Sequence, residues 1–367
     1  MALFADEPSS RPHRRPRRER IGWAAVTVAV VIAVIFMLLP SPYVIEEPGP
    51  VYDTLGVAGE EGEEIPLIVI PDEETFPTEG ELNLLTVSVR GRPGATPGWL
   101  DIIGAWFDRA RSVVPVEAIF PPGVSDADRD AQTEAAMVDS QQDATAAALV
   151  ELGYDFPREV TVAGILAESP AAGVLVEGDV ITEVNGAAVH SVDELREAVR
   201  ENGTEAPASI VVDRDGAEET VEVTPVEQAD NVVLGVGVGM RYEFPIDVEL
   251  QLDNVGGPSA GMMFALGIVD KLTPGPMTGG EIIAGTGTID SAGQVGAIGG
   301  IRQKLNGADE VGAAWFLAPA SNCDEVTGYV PDGMRVFAVE TLDEARAVVE
   351  AVGEGAGTDG FAGCPAS

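Results

Sequence analysis

One serine and one lysine form the pair in this sequence that could carry out covalent chemistry. Ser259 lies in the stretch GGPSAG (residues 256–261), where a glycine-rich loop meets a predicted apolar helix. Free N–H groups and the helix dipole favour negative charge at such a junction, as an oxyanion requires. Serine is also a common helix cap, so this stretch alone leaves both roles open.

Lys304 favours the catalytic role. The chain has two lysines, Lys271 and Lys304, and every other Lys/Arg position is an arginine. Arginine keeps its proton in proteins, whereas a buried lysine can have its pKa lowered and act as a base. Small and apolar residues surround Lys304 in GGIRQKLNGA, as a dehydrated site requires. We therefore expect Ser259 as nucleophile and Lys304 as base, while Lys271 suits a helix C-terminus.

The composition argues against several function classes. Lys and Arg number 21 against 61 Asp and Glu, and the formal net charge of −40 repels nucleic-acid phosphates. His13 and His190 are the two histidines, too few for a His-rich metal site, so we expect no metal and no other cofactor. The sequence lacks a G-x-x-x-x-G-K-[ST] motif, so ATP binding is not expected.

The N-terminal region predicts a membrane anchor. Residues 1–20 contain the arginine-rich stretch RPHRRPRRER, and residues 21–39 are uncharged and largely apolar. As a helix this segment would be about 28 Å long, close to the hydrocarbon thickness of a bilayer. We expect a single-pass signal anchor with a cytoplasmic tail and an extracytoplasmic remainder. A cleaved signal peptide is the alternative, but Pro40-Ser41-Pro42 is a poor cleavage context.

Two cysteines, Cys323 and Cys364, complete the candidate reactive residues. In an exported domain they could pair within the chain only with each other. Such a disulfide would attach the glycine-rich tail, residues 353–367, to the preceding domain. A nucleophilic cysteine is the alternative, but His190 lies in a different predicted domain.

Residues 40–157 give weaker signals. Residues 40–80 are rich in Pro and Glu, which indicates a juxtamembrane linker with short strands such as 65–70. Residues 81–90 predict a strand, residues 97–112 a helix and residues 128–152 a second helix. The apolar face of the helix at 97–112 could pack in the core or lie on the membrane, and it comprises Trp99, Ile102, Ile103, Trp106 and Ala110.

Residues 158–228 form a compact β-rich unit. The pattern SPAAG…L..GDVI..VNG..V, from Ser169 to Val189, resembles a PDZ domain, and a hairpin signal follows at Asp215-Gly216. The resemblance implies a groove in which a peptide adds as a strand. Residues 153–156 (GYDF) are the nearest candidate for a loop that holds a peptide carboxylate. His190 is interpreted as a surface or capping residue.

Residues 230–352 form a third unit in which strands and helices alternate, an α/β arrangement. Apolar residues alternate over residues 246–253, which predicts a half-buried strand leading into the Ser259 loop. The predicted elements that follow are a helix after residue 261, a strand at 282–289, a helix from 301, a strand at 314–319 and a helix at 341–352.

The motifs of this unit resemble the proteolytic domain of Lon-type peptidases: GPSAG, then TGTI, AGQV, IGGI and a lysine. The resemblance implies an α/β (α+β) Lon-type proteolytic domain with the PDZ unit inserted into it and residues 81–157 as its N-terminal part. It also implies that Ser259 is the nucleophile, Lys304 the base and Thr286 a supporting hydrogen-bonding residue. The backbone loop at the oxyanion site would comprise Gly257, Pro258 and Ala260.

The full pattern predicts an ATP-independent, membrane-anchored extracytoplasmic serine endopeptidase whose PDZ unit presents peptides or unfolded proteins. The alternatives are a non-catalytic scaffolding or regulatory membrane protein and a processing factor for one membrane partner. Lon-like domains often form rings, so the resemblance also implies a possible homo-oligomer. One departure is Gly256, because Lon peptidases usually carry an acidic residue two positions before the proline.

Overall fold

The computed structural model describes residues 17–58, 65–166, 168–228, 231–252 and 255–365. The described residues form two compact units, one within residues 17–46 and 89–122 and the other within residues 47–88 and 123–365. The helices are α1 (Arg17–Leu38), α2 (Trp99–Trp106), α3 (Val116–Ile119), α4 (Asp126–Glu151), α5 (Val192–Asn202), α6 (Gly261–Leu272), α7 (Ile301–Glu310), α8 (Cys323–Val326) and α9 (Leu342–Gly353).

The strands in chain order are β1 (Tyr43–Asp53), β2 (Val57–Ala58), β3 (Ile65–Pro66), β4 (Ile68–Val69), β5 (Glu81–Arg90), β6 (Ser112–Pro115), β7 (Arg158–Ile165), β8 (Val180–Val184), β9 (Ala187–Ala188), β10 (Ala208–Arg214), β11 (Ala217–Val223), β12 (Val226–Gln228), β13 (Asn231–Val233), β14 (Val236–Tyr242), β15 (Glu249–Leu250), β16 (Ile282–Gly285), β17 (Thr288–Ile289), β18 (Val295–Gly296), β19 (Trp315–Pro319) and β20 (Arg335–Val339).

The smaller unit contains α1, α2 and the antiparallel pairing of the first residues of β1 with β6. Its core forms around Ile45, Ile102 and Ala105, each almost fully buried. The predicted helix at 97–112 is too long, because α2 ends at Trp106 and residues 112–115 form β6. Its predicted apolar face is also divided, since Ile102 is buried whereas Trp106 is 58% exposed.

The predicted membrane anchor falls on α1. The side chains of residues 21–31 within this helix are exposed. None of the helices in the described part of the chain has the length and apolar character that crossing a membrane requires. Residues 1–16 of the predicted cytoplasmic tail lie outside the described residues.

A sheet in the larger unit supports the Ser259–Lys304 region. Its strands follow the order β20-β19-β16-β5-β1, and β16 pairs in parallel with both β5 and β19. The interpretation of residues 40–80 as a linker is wrong for residues 43–53, which form β1. Val44 and Ile45 in this Pro-containing segment are fully buried. The segment therefore packs in a core and is not a solvent-exposed linker.

The helix α6 lies at the centre of this unit. Its residues from Gly261 to Asp270 are all buried, including Phe264 at 0% exposure. A helix that is apolar on every side must be enclosed on every side. Its neighbours include α4 and α9.

The second sheet of the larger unit has the antiparallel order β11-β10-β8-β7-β14. It extends past the predicted unit at 158–228, because β14 pairs with β7 along its whole length. The predicted carboxylate loop at 153–156 precedes β7, a strand with neighbours on both sides. Strand β14, by contrast, lies at an edge of this sheet, and the segment that leads into it is Leu234-Gly235.

Two further features concern the strand and the disulfide that the sequence predicts. The strand predicted at 246–253 is reduced to β15, two residues that pair with β4. Alternating burial persists there, because Ile246 and Leu252 are buried while Asp247 is exposed. The tail is attached by a disulfide between Cys323 and Cys364, which are 41 residues apart.

Candidate active site

The loop before α6 presents Ser259 without using it as a helix cap. Gly257 adopts a φ of 90°, a left-handed conformation that favours glycine. Ala260 is the N-cap residue of α6, and no side chain caps this helix. The capping role for Ser259 is therefore not what the structure shows, and its partly buried hydroxyl is available for another partner.

Lys304 is that partner. It lies on α7, which begins after Gly300 in a left-handed conformation with a φ of 69°. The side chain is 2% exposed, and its neighbours on the helix, Ile301 and Leu305, are fully buried. The turn at Gly299-Gly300 thus directs a cationic residue type into the protein interior.

Three side chains form a connected group. The Nζ atom of Lys304 lies 2.8 Å from Ser259 Oγ and 2.9 Å from Thr286 Oγ1. The Thr286 hydroxyl donates to the carbonyl oxygen of Ser259 at 2.9 Å, so it must accept from Lys304. A neutral amine that donates one N–H to Thr286 can direct its lone pair at the Ser259 hydroxyl.

Burial sets the protonation of this group. Removal from water lowers the pKa of Lys304 from its ordinary value of 10.5 to about 7. Desolvation acts in this direction because it disfavours the charged ammonium. A substantial fraction of the amine is then unprotonated near neutral pH, as a general base requires.

The Ser259 carbonyl is fixed from a second direction. The N–H of Gly287 donates to it at 3.0 Å, and the N–H of Met262 donates to the Gly287 carbonyl at 3.1 Å. Thr286 is fully buried beside these bonds. The segment Thr286-Gly287 therefore holds the nucleophile loop to the first turn of α6.

The N–H groups at the nucleophile and at the residue after it are available to an oxyanion. The Gly257 N–H donates to the Thr133 carbonyl and the Gly261 N–H to the Pro258 carbonyl. The Gly257 N–H is therefore already used, and Pro258 has no N–H. These two residues of the predicted loop are not available as donors. The N–H groups of Ser259 and Ala260 have no acceptor in the described part of the chain.

A cavity of about 290 Å³ opens over this group. Its walls are residues of β1 and β5, residues 255–257 and the side chains of Ser259 and Lys304. Residues 85–88 of β5 form one side, opposite the glycine loop. Ser259 thus faces a cavity that lies between a strand and the glycine loop.

The glycine at 256 has a local physical reason. A Cβ atom built at Gly256 would lie 2.2 Å from the Cγ2 atom of Thr133 on α4. Any side chain at position 256, including the acid expected from Lon peptidases, would require Thr133 to move.

No pattern in the sequence predicts that α4 reaches the site. The Ser140 hydroxyl, on a side chain 3% exposed, donates to the Pro258 carbonyl at 3.0 Å. Ser140 and Thr133 thus hold the two residues before Ser259. The Ala-rich sequence of α4 predicts the helix but not this contact with the nucleophile loop.

His190 takes no part in the site. Its side chain is exposed, and its backbone N–H donates to Glu194 in a capping arrangement at the start of α5. Ser191 is the N-cap residue and accepts from the Glu194 N–H. This arrangement agrees with the surface or capping interpretation.

Comparison with known proteins identifies two domains. Residues 131–224 match the PDZ domain, and residues 254–351 match the Lon protease (S16) C-terminal proteolytic domain. The chain therefore carries a PDZ domain and a Lon proteolytic domain, and the latter is a serine peptidase domain. Ser259, Thr286 and Lys304 all lie within the second match.

Lon protease 2 of Herpetosiphon aurantiacus is 36% identical over 113 residues, which are 29% of this chain and 14% of that protein. Lon protease of Clostridioides difficile is 38% identical over 91 residues, 24% of this chain and 11% of that protein. The chain thus covers a small part of these relatives' length. The solved PDZ domain of an SdrC-like protein from Listeria innocua is 22% identical, with 22% of this chain and 92% of that chain covered and a TM-score of 0.21.

Proposed function

We propose that this protein is an ATP-independent serine endopeptidase with Ser259 as nucleophile and Lys304 as general base. The observation that carries the proposal is the 2.8 Å separation of Lys304 Nζ and Ser259 Oγ in a buried site open to a cavity. Thr286 is the supporting residue, because it bonds both the base and the nucleophile's carbonyl. These roles follow the chemistry of a serine–lysine pair.

The reaction proceeds in two proton-coupled steps. Neutral Lys304 takes the Ser259 proton as Oγ attacks the peptide carbonyl, and the N–H groups of Ser259 and Ala260 bind the developing oxyanion. The ammonium then protonates the leaving amine, which yields an acyl-enzyme. A water molecule, deprotonated by the same lysine, hydrolyses the ester and restores the serine.

A serine-directed fluorophosphonate probe tests this proposal. The wild-type protein is treated with the probe, digested and analysed by mass spectrometry for the modified peptide. We expect modification of Ser259 and cleavage of an unfolded test protein without added nucleotide. The Ser259→Ala variant should show neither. An unmodified Ser259 together with an intact test protein would instead support the scaffolding alternative.

The PDZ domain is proposed to hold substrate. The strand β14 has β7 as its one neighbour among the described residues, so its other edge can pair with an extended peptide. Substrates would be peptides or loosely folded protein segments.

A membrane anchor remains part of the proposal on the strength of the amino-acid sequence. Six arginines in residues 11–20 precede the uncharged segment 21–39, which favours a cytoplasmic tail and an extracytoplasmic catalytic domain. Protease added to intact spheroplasts should digest the ectodomain and leave the tail. A protected ectodomain would contradict this topology.

A ring-shaped homo-oligomer is proposed by analogy with Lon-like domains. Light scattering of the full chain in detergent gives its mass directly. A mass of several chains is expected, and a monomer at all concentrations would contradict it.

A further inference from the structure

A second cavity lies between the PDZ domain and the proteolytic domain. It has a volume of about 550 Å³, larger than the cavity over Ser259. One wall is formed by Val238, Gly239, Met240 and Tyr242 of β14 and by the start of α5. The opposite wall is formed by α4, by residues 288–296 and by Pro258. The cavity therefore runs from the outer strand of the PDZ domain to the residue before the nucleophile.

The β14 wall is suited to an extended chain. Its outer edge has no strand partner in the described part of the chain, so its N–H and C=O groups can pair with a peptide. Gly237 and Gly239 leave the backbone accessible, and a Cβ atom at Gly239 would have open space around it. Val192 of α5 and Val238 and Met240 of β14 supply a partly buried apolar floor.

Acidic side chains outnumber basic ones in the lining of this cavity. Four carboxylates line it, and the one cation among the lining residues is Arg196, whose guanidinium is 2.6 Å from Asp193. Burial raises the pKa of Asp143 to about 6, so this carboxylate is ionised at pH 8. The four carboxylates come from both walls: Asp139, Asp143, Asp193 and Asp290.

Hydrogen bonds hold two of these carboxylates in position. The Asp143 carboxylate accepts a hydrogen bond from Tyr242 of β14, which fixes it beside the open edge. One oxygen of Asp290 accepts from the N–H groups of Ala292 and Gln294 and is held in a tight turn. Asp139 is exposed on α4. An arginine or lysine side chain in the cavity would meet negative charge on both sides.

We propose that this cavity is a specificity site that binds a basic, extended segment of the substrate. The segment pairs with the edge of β14 and places lysine or arginine side chains among the carboxylates. A chain bound there passes Pro258 and is thereby directed to the neighbouring cavity over Ser259. This inference deepens the proposed peptidase function and names its substrate class, and it rests on that function.

Binding to the inactive Ser259→Ala protein tests the inference without hydrolysis. Three fluorescent ten-residue peptides share one apolar sequence and differ at two positions, which are lysine, glutamine or glutamate. At pH 8 we expect the lysine peptide to bind at least tenfold more tightly than the glutamine peptide and the glutamate peptide to bind most weakly. Equal affinities would overturn the proposal.

A matched pair of charge reversals separates the cavity from the general negative charge of the protein. Asp139 lines the cavity, whereas Glu218 lies on β11, at the edge of the PDZ sheet opposite β14. The two variants are Asp139→Lys and Glu218→Lys. Asp139→Lys should reduce the preference for the lysine peptide over the glutamine peptide to less than twofold. Glu218→Lys should leave that preference above fivefold. A similar loss in both variants would mean that no local site exists.

Cleavage of the same peptides by the wild-type protein is read separately. Preferential binding without cleavage by the wild type would contradict the peptidase proposal but retain the binding site. Cleavage of all three peptides at equal rates, with equal binding, would retain the peptidase and refute the specificity site.

Discussion

Burying Lys304 costs free energy, and that cost is linked to its proposed role. Its pKa falls from 10.5 to about 7 because the ammonium loses water on folding. Between these pH values the unfolded chain binds a proton at this position and the folded protein does not. The free energy of unfolding therefore falls as the pH drops from 10.5 to 7 and stays reduced below 7.

Replacement of this lysine by an uncharged residue of similar length should thus stabilise the fold while removing activity. We expect Lys304→Met to raise the free energy of unfolding at pH 6 by more than about 1 kcal/mol, with a smaller difference at pH 9.5. Urea unfolding at the two pH values measures this. A variant less stable than the wild type at pH 6 would mean that the ammonium is stabilised by the fold.

At the residue scale, local sequence signals exist where chemistry restricts the residue type. A lysine in a chain whose other cations are almost all arginines, and a serine between a glycine loop and a helix, are local signals. The two side chains lie 2.8 Å apart. Contacts made through the backbone gave no such signal. The Gly257 N–H donates to the Thr133 carbonyl, a contact that no pattern in the loop could reveal.

At the scale of elements, periodicity predicted the existence of α4, α6, α7 and α9 and of β5. It failed where pairing across the chain decides the structure. The local pattern favours a linker at β1, because prolines and glutamates follow Val44 and Ile45. β14 lies outside the PDZ unit predicted from the sequence, because its pairing with β7 joins segments about 75 residues apart, beyond any local pattern.

The helix α4 carries a prediction of its own, because Ser140 holds the Pro258 carbonyl. Loss of one hydrogen bond of this kind costs about 1 kcal/mol. We expect Ser140→Ala to lower kcat roughly threefold to tenfold with little change in KM, as the nucleophile loop becomes less well fixed. Steady-state kinetics on a fluorogenic peptide measures both constants.

Thr145→Ala provides the matched control. Thr145 lies on the same helix, is buried and donates to the Gln141 carbonyl of its own helix. This variant should lose stability and keep its kcat. Equal losses of kcat in both variants would show that α4 acts only through the stability of the fold.

At the scale of the whole molecule, the disulfide between Cys323 and Cys364 restricts the unfolded chain. Closing a loop with a separation of 41 residues is worth about 4 kcal/mol in the chain-entropy model. The tail also bonds to the sheet directly, through Ala338 N–H to Ala362 and Cys364 N–H to Val336. The fold should therefore persist without the bridge, at lower stability.

We expect the double variant Cys323→Ser/Cys364→Ser to unfold with a free energy roughly 2–4 kcal/mol lower than that of the wild type and to keep its peptidase activity. Denaturant unfolding and a thiol count of the native wild type measure this. Two reactive thiols in the native protein, or an unchanged stability of the variant, would contradict it.

The central claim is that a neutral lysine activates Ser259, and the pH dependence of peptide hydrolysis tests it most directly. Wild-type kcat/KM should rise through about pH 7 as Lys304 loses its proton. Lys304→Arg should be as inactive as Ser259→Ala at every pH, because arginine keeps its proton. Lys271→Arg, the matched replacement at the other lysine, should follow the wild-type profile. Near-normal hydrolysis by a folded Lys304→Arg protein would contradict the account.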